Sequence, residues 1–142
     1  MLKRQSDKIE FLKKVPLFAG MSKKDLTAIA RVAEEVDVSS GEVILFQDDS
    51  APAAYVLVTA EAVVRRNNRK VAELGSGAVV GELALLSDAP RTATVVATTD
   101  GTILEVHRRH FLGLIGSSPA LARRLLSQLA DRLAAADKKL YG

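Results

Sequence analysis

The sequence predicts a mainly β domain with helices at both ends, and three observations support this fold class. Apolar residues recur at helical spacing near both termini, whereas short β-branched runs separated by turn residues fill the middle. The length of 142 residues fits one ordinary domain. We therefore expect a single domain over 1–142, with an N-terminal helical segment at 1–35, a β region at 36–107 and C-terminal helices at 108–142.

The N-terminal segment has the pattern of two helices separated by a turn. Ile9 and Leu12 follow the helical period, and Pro16 and Gly20 bracket a short apolar stretch. Ser22 has the residue type of a helix N-cap, so a second helix is predicted to begin directly after it.

The middle of the chain contains seven short runs with strand character. Asn67 and Asn68 separate two of them, and this pair suits a tight hairpin because asparagine tolerates positive φ. Such closely spaced strands predict an antiparallel sandwich or barrel. The runs are Val36/Val38 and residues 43–46, 55–58, 63–64, 71–74, 94–96 and 103–106.

The C-terminal segment predicts two helices, the second with Ser118 as its N-cap and Pro119 at its first position. Leucine and alanine residues form a stripe along this helix, and the stripe has two interpretations. We expect most of it to pack on the β region, and its far end to form a seam for a second copy of the chain. The stripe comprises Leu126, Leu129, Leu133, Ala136 and Leu140, widened by Leu121 and Leu125.

Composition argues against several function classes. The chain has no cysteine and two histidines, His107 and His110, which we interpret as boundary residues rather than a metal pair. It has neither a serine-centred elbow nor a P-loop. We therefore expect no enzyme activity, no metal and no cofactor other than a bound ligand.

Charge and hydropathy limit the expected partners. The basic residues near both ends are attributed to the solvent faces of amphipathic helices, and we expect no DNA-recognition helix within this chain. No apolar run approaches the roughly 20 residues that span a bilayer. We expect a cytoplasmic chain with no nucleic-acid partner of its own and no membrane span.

One stretch, residues 77–95, does not resemble a plain strand and contains groups that could bind an anion. A helix of about one turn is predicted directly after Gly81, so the N–H groups of Glu82, Leu83 and Ala84 lack acceptors within it. Arg91 follows nine residues after Glu82, directly before a strand. A guanidinium beside a helix N-terminus indicates a site for one phosphate.

Glu82 indicates a second group on the ligand, because a carboxylate repels a nearby phosphate unless a hydrogen-bond donor pairs with the carboxylate. A ribose hydroxyl is such a donor, so the set predicts a phosphate and a sugar hydroxyl close together. The alternative is an ion pair between Glu82 and Arg91 beside an exposed turn.

The segments Gly-Glu-Leu-Ala-Leu at 81–85 and Pro-Arg-Thr-Ala-Thr-Val at 90–95 resemble the phosphate-binding cassette of cyclic nucleotide-binding domains. The resemblance covers nearly the whole chain. It implies an eight-stranded antiparallel jelly-roll-like β-barrel with an N-terminal helical segment, a short cassette helix and two C-terminal helices. The implied ligand-binding residues are Gly81, Glu82, Leu83, Ala84, Pro90, Arg91, Thr92 and Ala93.

The resemblance also implies roles for these residues. Arg91 would pair with the cyclic phosphate, Glu82 would accept the ribose 2′-hydroxyl, and the N–H groups of Ala84 and Ala93 would complete the cradle. Thr92 would lie near the phosphate and the base. It leaves cAMP and cGMP open, with cAMP favoured.

The function that the resemblance implies is a sensor that binds a cyclic nucleotide and relays binding through its C-terminal helices to an output domain or a partner protein. The last helix would act as a lid, with Ala136 and Asp137 where some members have polar groups. The alternative is a domain that retains the fold without the ligand and serves as a protein-interaction or dimerisation module.

Two departures from the family pattern motivate that alternative. Residues 46–49 read Phe-Gln-Asp-Asp, whereas the family usually has a glycine in this loop. Ala60 stands where the family has a glycine, and a positive φ there would cost about 1 kcal/mol.

Overall fold

The computed structural model describes Leu2 and residues 4–50, 52–87 and 90–141, with side chains to residue 139. Asp88 and Ala89 of the expected cassette, and the side chain of Leu140, lie outside the described residues. The helices are α1 (Gln5–Leu12), α2 (Lys23–Val32), α3 (Arg108–Ser117) and α4 (Pro119–Tyr141), with short 3₁₀ helices at Pro16–Phe18 and Leu83–Leu86. The strands are β1 (Glu34–Val38), β2 (Val43–Leu45), β3 (Ala53–Leu57), β4 (Ala62–Arg66), β5 (Arg69–Leu74), β6 (Val79–Val80), β7 (Thr94–Ala97) and β8 (Gly101–His107).

The eight strands form two four-stranded antiparallel sheets, which confirms the predicted fold class. Their orders are β1-β8-β3-β6 and β2-β7-β4-β5. The arrangement is a jelly-roll-like sandwich rather than one continuous closed barrel. Each of the seven predicted runs overlaps a strand, and the runs at 43–46 and 55–58 extend one residue past β2 and β3. The eighth strand, β6, is only two residues long and lies within the expected cassette, where no strand pattern is visible.

The apolar residues divide into two core clusters on opposite faces of the first sheet. Residues such as Leu57, Val95 and Ile103 fill the space between the two sheets. Leu104, on the other face of β8, packs with residues such as Leu121 in the helical layer. Because strand side chains alternate between faces, β8 contributes to both clusters.

Several local predictions are confirmed. The hydroxyl of Ser22 accepts a hydrogen bond from the N–H of Asp25 at 3.1 Å, and that of Ser118 accepts one from Leu121 at 3.2 Å. Asn67 and Asn68 both have positive φ, at 50° and 68°. The first strand begins at residue 34, two residues before the expected start of the β region.

The condition for strain at Ala60, a positive φ, is not met. The non-glycine residues with positive φ in the described part of the chain are Asp48, Asn67 and Asn68. Ala60 is fully buried, and a Cβ on Gly101 would be 2.6 Å from the Ala60 nitrogen. The close approach of the two backbones therefore requires glycine at residue 101 and leaves alanine unstrained at residue 60.

Only the start of α4 packs on the rest of the domain. Leu121 and Leu125 are buried, whereas Leu126, Leu129 and Leu133 are 63%, 38% and 72% exposed. The expectation that most of the stripe packs on the β region is therefore wrong, because the helix extends past the core. Neither α4 nor any other helix in the described part of the chain is long and apolar enough to cross a membrane.

Candidate functional site

The candidate site begins where the chain leaves β6 and turns into the 3₁₀ helix Leu83–Leu86, called here the cassette helix. Gly81 makes this turn with φ of 80°, a conformation that side chains rarely adopt. The first helical hydrogen bond runs from the N–H of Leu85 to the carbonyl of Glu82 at 3.2 Å. The N–H groups before Leu85 therefore have no acceptor within the helix.

Arg91 is 3% exposed, and the fold holds both its backbone and one side of its guanidinium. Its N–H donates to the carbonyl of Asp49 at 3.0 Å, and its carbonyl accepts from the N–H of Asp48 at 2.8 Å. Nη2 donates to the carbonyl of Ala53 at 2.5 Å. Nη1 is buried and has no hydrogen-bond partner among the described residues.

The loop that departs from the family pattern is the loop that holds Arg91. Asp48 has φ of 72°, so it adopts the conformation for which glycine is the usual residue. Aspartate tolerates this region better than most side chains. The loop therefore forms its hydrogen bonds with the backbone of Arg91 although the glycine is absent.

Gly81 and Arg91 are in close approach. A Cβ added to Gly81 would lie 2.1 Å from Nη1 of Arg91. Glycine is therefore required at residue 81 for two reasons, the positive φ and the guanidinium beside it.

Glu82 is the second buried charge of the site, at 4% exposure. Its Oε1 lies 3.8 Å from Nη2 of Arg132 on α4, and its Oε2 is buried with no hydrogen-bond partner in the described residues. Burial raises the pKa of this carboxyl above its ordinary value, and Arg132 and Arg91 partly offset that effect. The alternative of a Glu82–Arg91 ion pair is not realised, because within the described part of the chain the ion pair of Glu82 is with Arg132.

Arg91 keeps its charge despite its environment. Burial lowers the pKa of the guanidinium, while nearby acidic groups raise it; these are Tyr55, Glu82 and Asp49. Arginine is not deprotonated in proteins, so the guanidinium stays charged. The site thus presents a fixed cation and, a short distance away, a carboxyl that is costly to ionise.

Both groups line one cavity of about 410 Å³, a volume in the range of small-molecule sites. Of the residues expected from the sequence, Pro90 is exposed and is not brought to the cavity. The other seven line it: Gly81, Glu82, Leu83, Ala84, Arg91, Thr92 and Ala93. The sequence did not identify the remaining lining residues, which are Leu45, Val64, Arg66, Val71, Ala72, Leu74, Val79, Val80, Val95 and Arg132.

Two of the missed residues are arginines. Arg66, at the end of β4, donates from Nε to the carbonyl of Thr92 at 3.2 Å. Arg132 is 68% exposed and reaches the cavity from α4. Neither has a local sequence signal, because strand pairing and helix packing bring them to the cassette from distant parts of the chain.

The model of the cyclic nucleotide-binding domain family matches residues 35–118, which is more than half of the chain. The chain belongs to the cyclic nucleotide-binding domain family. Among curated relatives, it is 31% identical over 134 residues to the cyclic AMP receptor protein of Thermus thermophilus, covering 91% of this chain and 62% of that protein. It is 32% identical over 114 residues to the cAMP-dependent protein kinase regulatory subunit of Hypocrea atroviridis, covering 80% of this chain and 25% of that protein.

A solved structure shares the fold. The Thermus thermophilus catabolite activator protein superposes with a TM-score of 0.80 at 31% identity, over 88% of this chain and 61% of that chain. The chain thus spans less than two thirds of the length of each of these relatives.

Replacing Gly81 with alanine tests the close approach to Arg91. Gly81→Ala should lose at least about 1 kcal/mol more unfolding free energy than Gly77→Ala, because overpacking adds to backbone strain. Gly77 is the matched control, since its φ is 89° but its nearest neighbour would lie 3.8 Å away. Urea denaturation measures both losses, and equal losses would contradict the clash.

The raised pKa of Glu82 predicts a pH dependence of stability. A carboxyl whose pKa is higher in the folded than in the unfolded chain favours folding at low pH, and this contribution is lost as pH rises through the folded pKa. The wild type should therefore lose stability relative to Glu82→Gln as pH rises above the ordinary value of 4.5. Urea denaturation at several pH values checks this, and a pH-independent difference would refute it.

Proposed function

We propose that this chain binds a cyclic nucleotide, cAMP in preference to cGMP, and acts as a regulatory sensor rather than an enzyme. One observation carries the proposal: Arg91 and Glu82 line the same cavity, and each has a buried side-chain atom, Nη1 and Oε2, with no hydrogen-bond partner in the described residues. Leaving a buried charged group unpaired is costly. A ligand with an anionic and a hydroxyl group would satisfy both atoms.

The cyclic phosphate is the proposed partner of Arg91. Nη1 would donate a charge-assisted hydrogen bond, roughly twice as strong as a neutral one. The N–H groups of Leu83 and Ala84 at the start of the cassette helix, and that of Ala93, would bind the other phosphate oxygens. Because Nη2 is already bonded to the carbonyl of Ala53, the guanidinium is held in place before the ligand arrives.

The ribose 2′-hydroxyl is the proposed partner of Glu82. An acceptor this close to a phosphate site selects a donor on the ligand, and the hydroxyl is the donor nearest to the cyclic phosphate. An inorganic phosphate lacks that group and would leave Oε2 unpaired. The pair Arg91 and Glu82 therefore favours a cyclic nucleotide over a simple anion.

The apolar side of the cavity is the proposed site of the base, formed by residues such as Val64, Val71 and Leu74. The preference for cAMP is supported by the relatives, whose names refer to cyclic AMP. Thr92 has an exposed side chain, and its carbonyl is bonded to Arg66. The ratio of the two affinities tests the preference.

Replacing Arg91 with lysine tests the phosphate contact. In protein stripped of nucleotide by unfolding and refolding, Arg91→Lys should weaken cAMP binding by about 10- to 100-fold, because the fixed guanidinium geometry is lost. Arg69→Lys is the control, since residue 69 is exposed and outside the cavity.

Calorimetric titration with cAMP and cGMP measures these affinities. Unchanged affinity in Arg91→Lys would contradict the proposed contact. Absence of binding of either nucleotide by folded wild type would contradict the proposed function.

The proposed relay to the helices depends on Arg132. Its guanidinium is 3.8 Å from Oε1 of Glu82, so a hydroxyl bound at Glu82 would change this charge contact between α4 and the residue before the cassette helix. A ligand shifts the position of α4 only if the protein binds it with different affinity in two positions of that helix. Arg132 would supply such a difference because it lies on α4 and contacts the residue that binds the ligand.

Hydrogen exchange of α4 tests the relay. Adding cAMP should change exchange along α4 in the wild type, and Arg132→Ala should reduce this change because the link to Glu82 is removed. Arg123→Ala is the control, since Arg123 is exposed on the same helix and outside the cavity. The relay would be refuted if Arg132→Ala left the response intact.

The exposed leucines of α4 support a second proposal about partners. Leu126, Leu129 and Leu133 lie at heptad-like spacing and are exposed. Such a seam fits a parallel or antiparallel copy of the same helix. We propose that two copies associate through α4, and that an output domain or partner protein reads the movement of this helix. This leucine stripe also favours the alternative function, in which the domain binds no ligand and serves as a dimerisation module.

Serine substitutions test the seam. Leu129→Ser combined with Leu133→Ser should convert a dimer to a monomer in sedimentation velocity, because the apolar contact is lost. Leu112→Ser is the control, since Leu112 is 41% exposed but lies on α3. A monomeric wild type would rule out this dimer, and a dimer that binds no nucleotide would favour the alternative function.

A further inference from the structure

A second polar cluster lies on the first sheet and outside the cavity. Strand register brings its three members together: Glu34 on β1 is directly opposite Glu105 on β8, and His107 follows two residues later on the same face of β8. None of the three lines the cavity described above.

The cluster is electrostatically unfavourable without a cation. Like charges directly opposite each other on neighbouring strands destabilise a sheet. One neighbour partly offsets this cost, because His107 Nε2 lies 3.3 Å from Oε1 of Glu105. The two carboxylates of Glu34 and Glu105 carry more negative charge than one positively charged imidazole could offset.

The geometry suits a metal ion. One imidazole nitrogen and one oxygen from each carboxylate lie within 4.8 Å of one another. An ion with tetrahedral bonds of about 2.1 Å places its ligand atoms about 3.4 Å apart. The separation of 3.3 Å between His107 and Glu105 already matches this value, so rotation of the exposed Glu34 side chain would complete the set.

We propose that Glu34, Glu105 and His107 form a site for a divalent transition-metal cation of the Zn²⁺ type. An imidazole nitrogen with two carboxylates favours such ions over Ca²⁺, which takes oxygen ligands. Three protein ligands leave a position for water. No local sequence pattern indicates this site, because Glu34 and His107 are 73 residues apart along the chain and the β1–β8 register brings the ligands together.

The position of the site gives the ion a structural effect. His107 ends β8 and is the N-cap residue of α3, and Glu34 begins β1 shortly after α2 ends. A bound ion would therefore tie the exit from α2 to the entry into α3. The helical layer would be held more firmly against the first sheet, whether or not the cavity is occupied.

Zn²⁺ titration of the full chain, first freed of metal with a chelator, tests this site. Calorimetry should give one Zn²⁺ per chain, and the Tm should rise with Zn²⁺ concentration because the ion binds only the folded state. Ca²⁺ at the same concentrations should leave the Tm unchanged. His107→Ala and Glu34→Gln should each weaken Zn²⁺ binding by at least about 10-fold.

His110→Ala is the matched control and should bind Zn²⁺ as the wild type does. Glu34→Gln should also raise the Tm of the metal-free protein, because it removes the like-charge pair. This variant keeps the side-chain shape, so it remains informative if His107→Ala does not fold. No Zn²⁺-dependent rise in Tm, or equal affinity in Glu34→Gln and wild type, would overturn the site.

Discussion

The charged guanidinium of Arg91 is buried, and the protein provides hydrogen-bond acceptors for only some of its nitrogen atoms. The carbonyl of Ala53 accepts from Nη2, while Nη1 has no partner among the described residues and lies against Gly81. A buried cation held in this way is costly unless something anionic reaches it. The glycine turn lies against this nitrogen, and the loop before β3 holds the backbone of Arg91.

This arrangement links the site to both layers of the domain. The backbone of Arg91 is fixed by the loop at 46–49, and its side chain is fixed by β3, which is a central strand of the first sheet. Glu82 contacts Arg132, which lies on the helix that leaves the core. In the proposed function, a ligand that pairs with Arg91 and Glu82 would contact the sheet at one side and a partly unpacked helix at the other. The sheet side would hold the ligand, and the helix side would respond to it.

Much of the fold was predictable from the sequence because local signals determine it. The caps at Ser22 and Ser118, the asparagine hairpin and the seven strand runs each depend on nearby residues. The cassette residues were found by their resemblance to a family. Pro90 was expected in the site but lies at the surface, and Arg66 and Arg132 were missed because only tertiary packing brings them to the cavity. Ala60 replaces a family glycine without strain because its φ is not positive, which the sequence could not reveal. The exposure of Leu126, Leu129 and Leu133 depends on where the core ends, which periodicity does not reveal.

The most direct test of the account pairs a change in the protein with a change in the ligand. Calorimetry would compare cAMP and 2′-deoxy-cAMP on wild type and on Glu82→Ala, which forms a double-mutant cycle between the carboxylate and the hydroxyl and leaves no side-chain acceptor at residue 82. If Glu82 accepts the 2′-hydroxyl, removing the hydroxyl weakens binding to the wild type by about 10-fold or more. It then has much less effect on Glu82→Ala. Equal losses of affinity in both proteins would show that the two groups do not interact, and would contradict the assignment of the buried acid to the sugar.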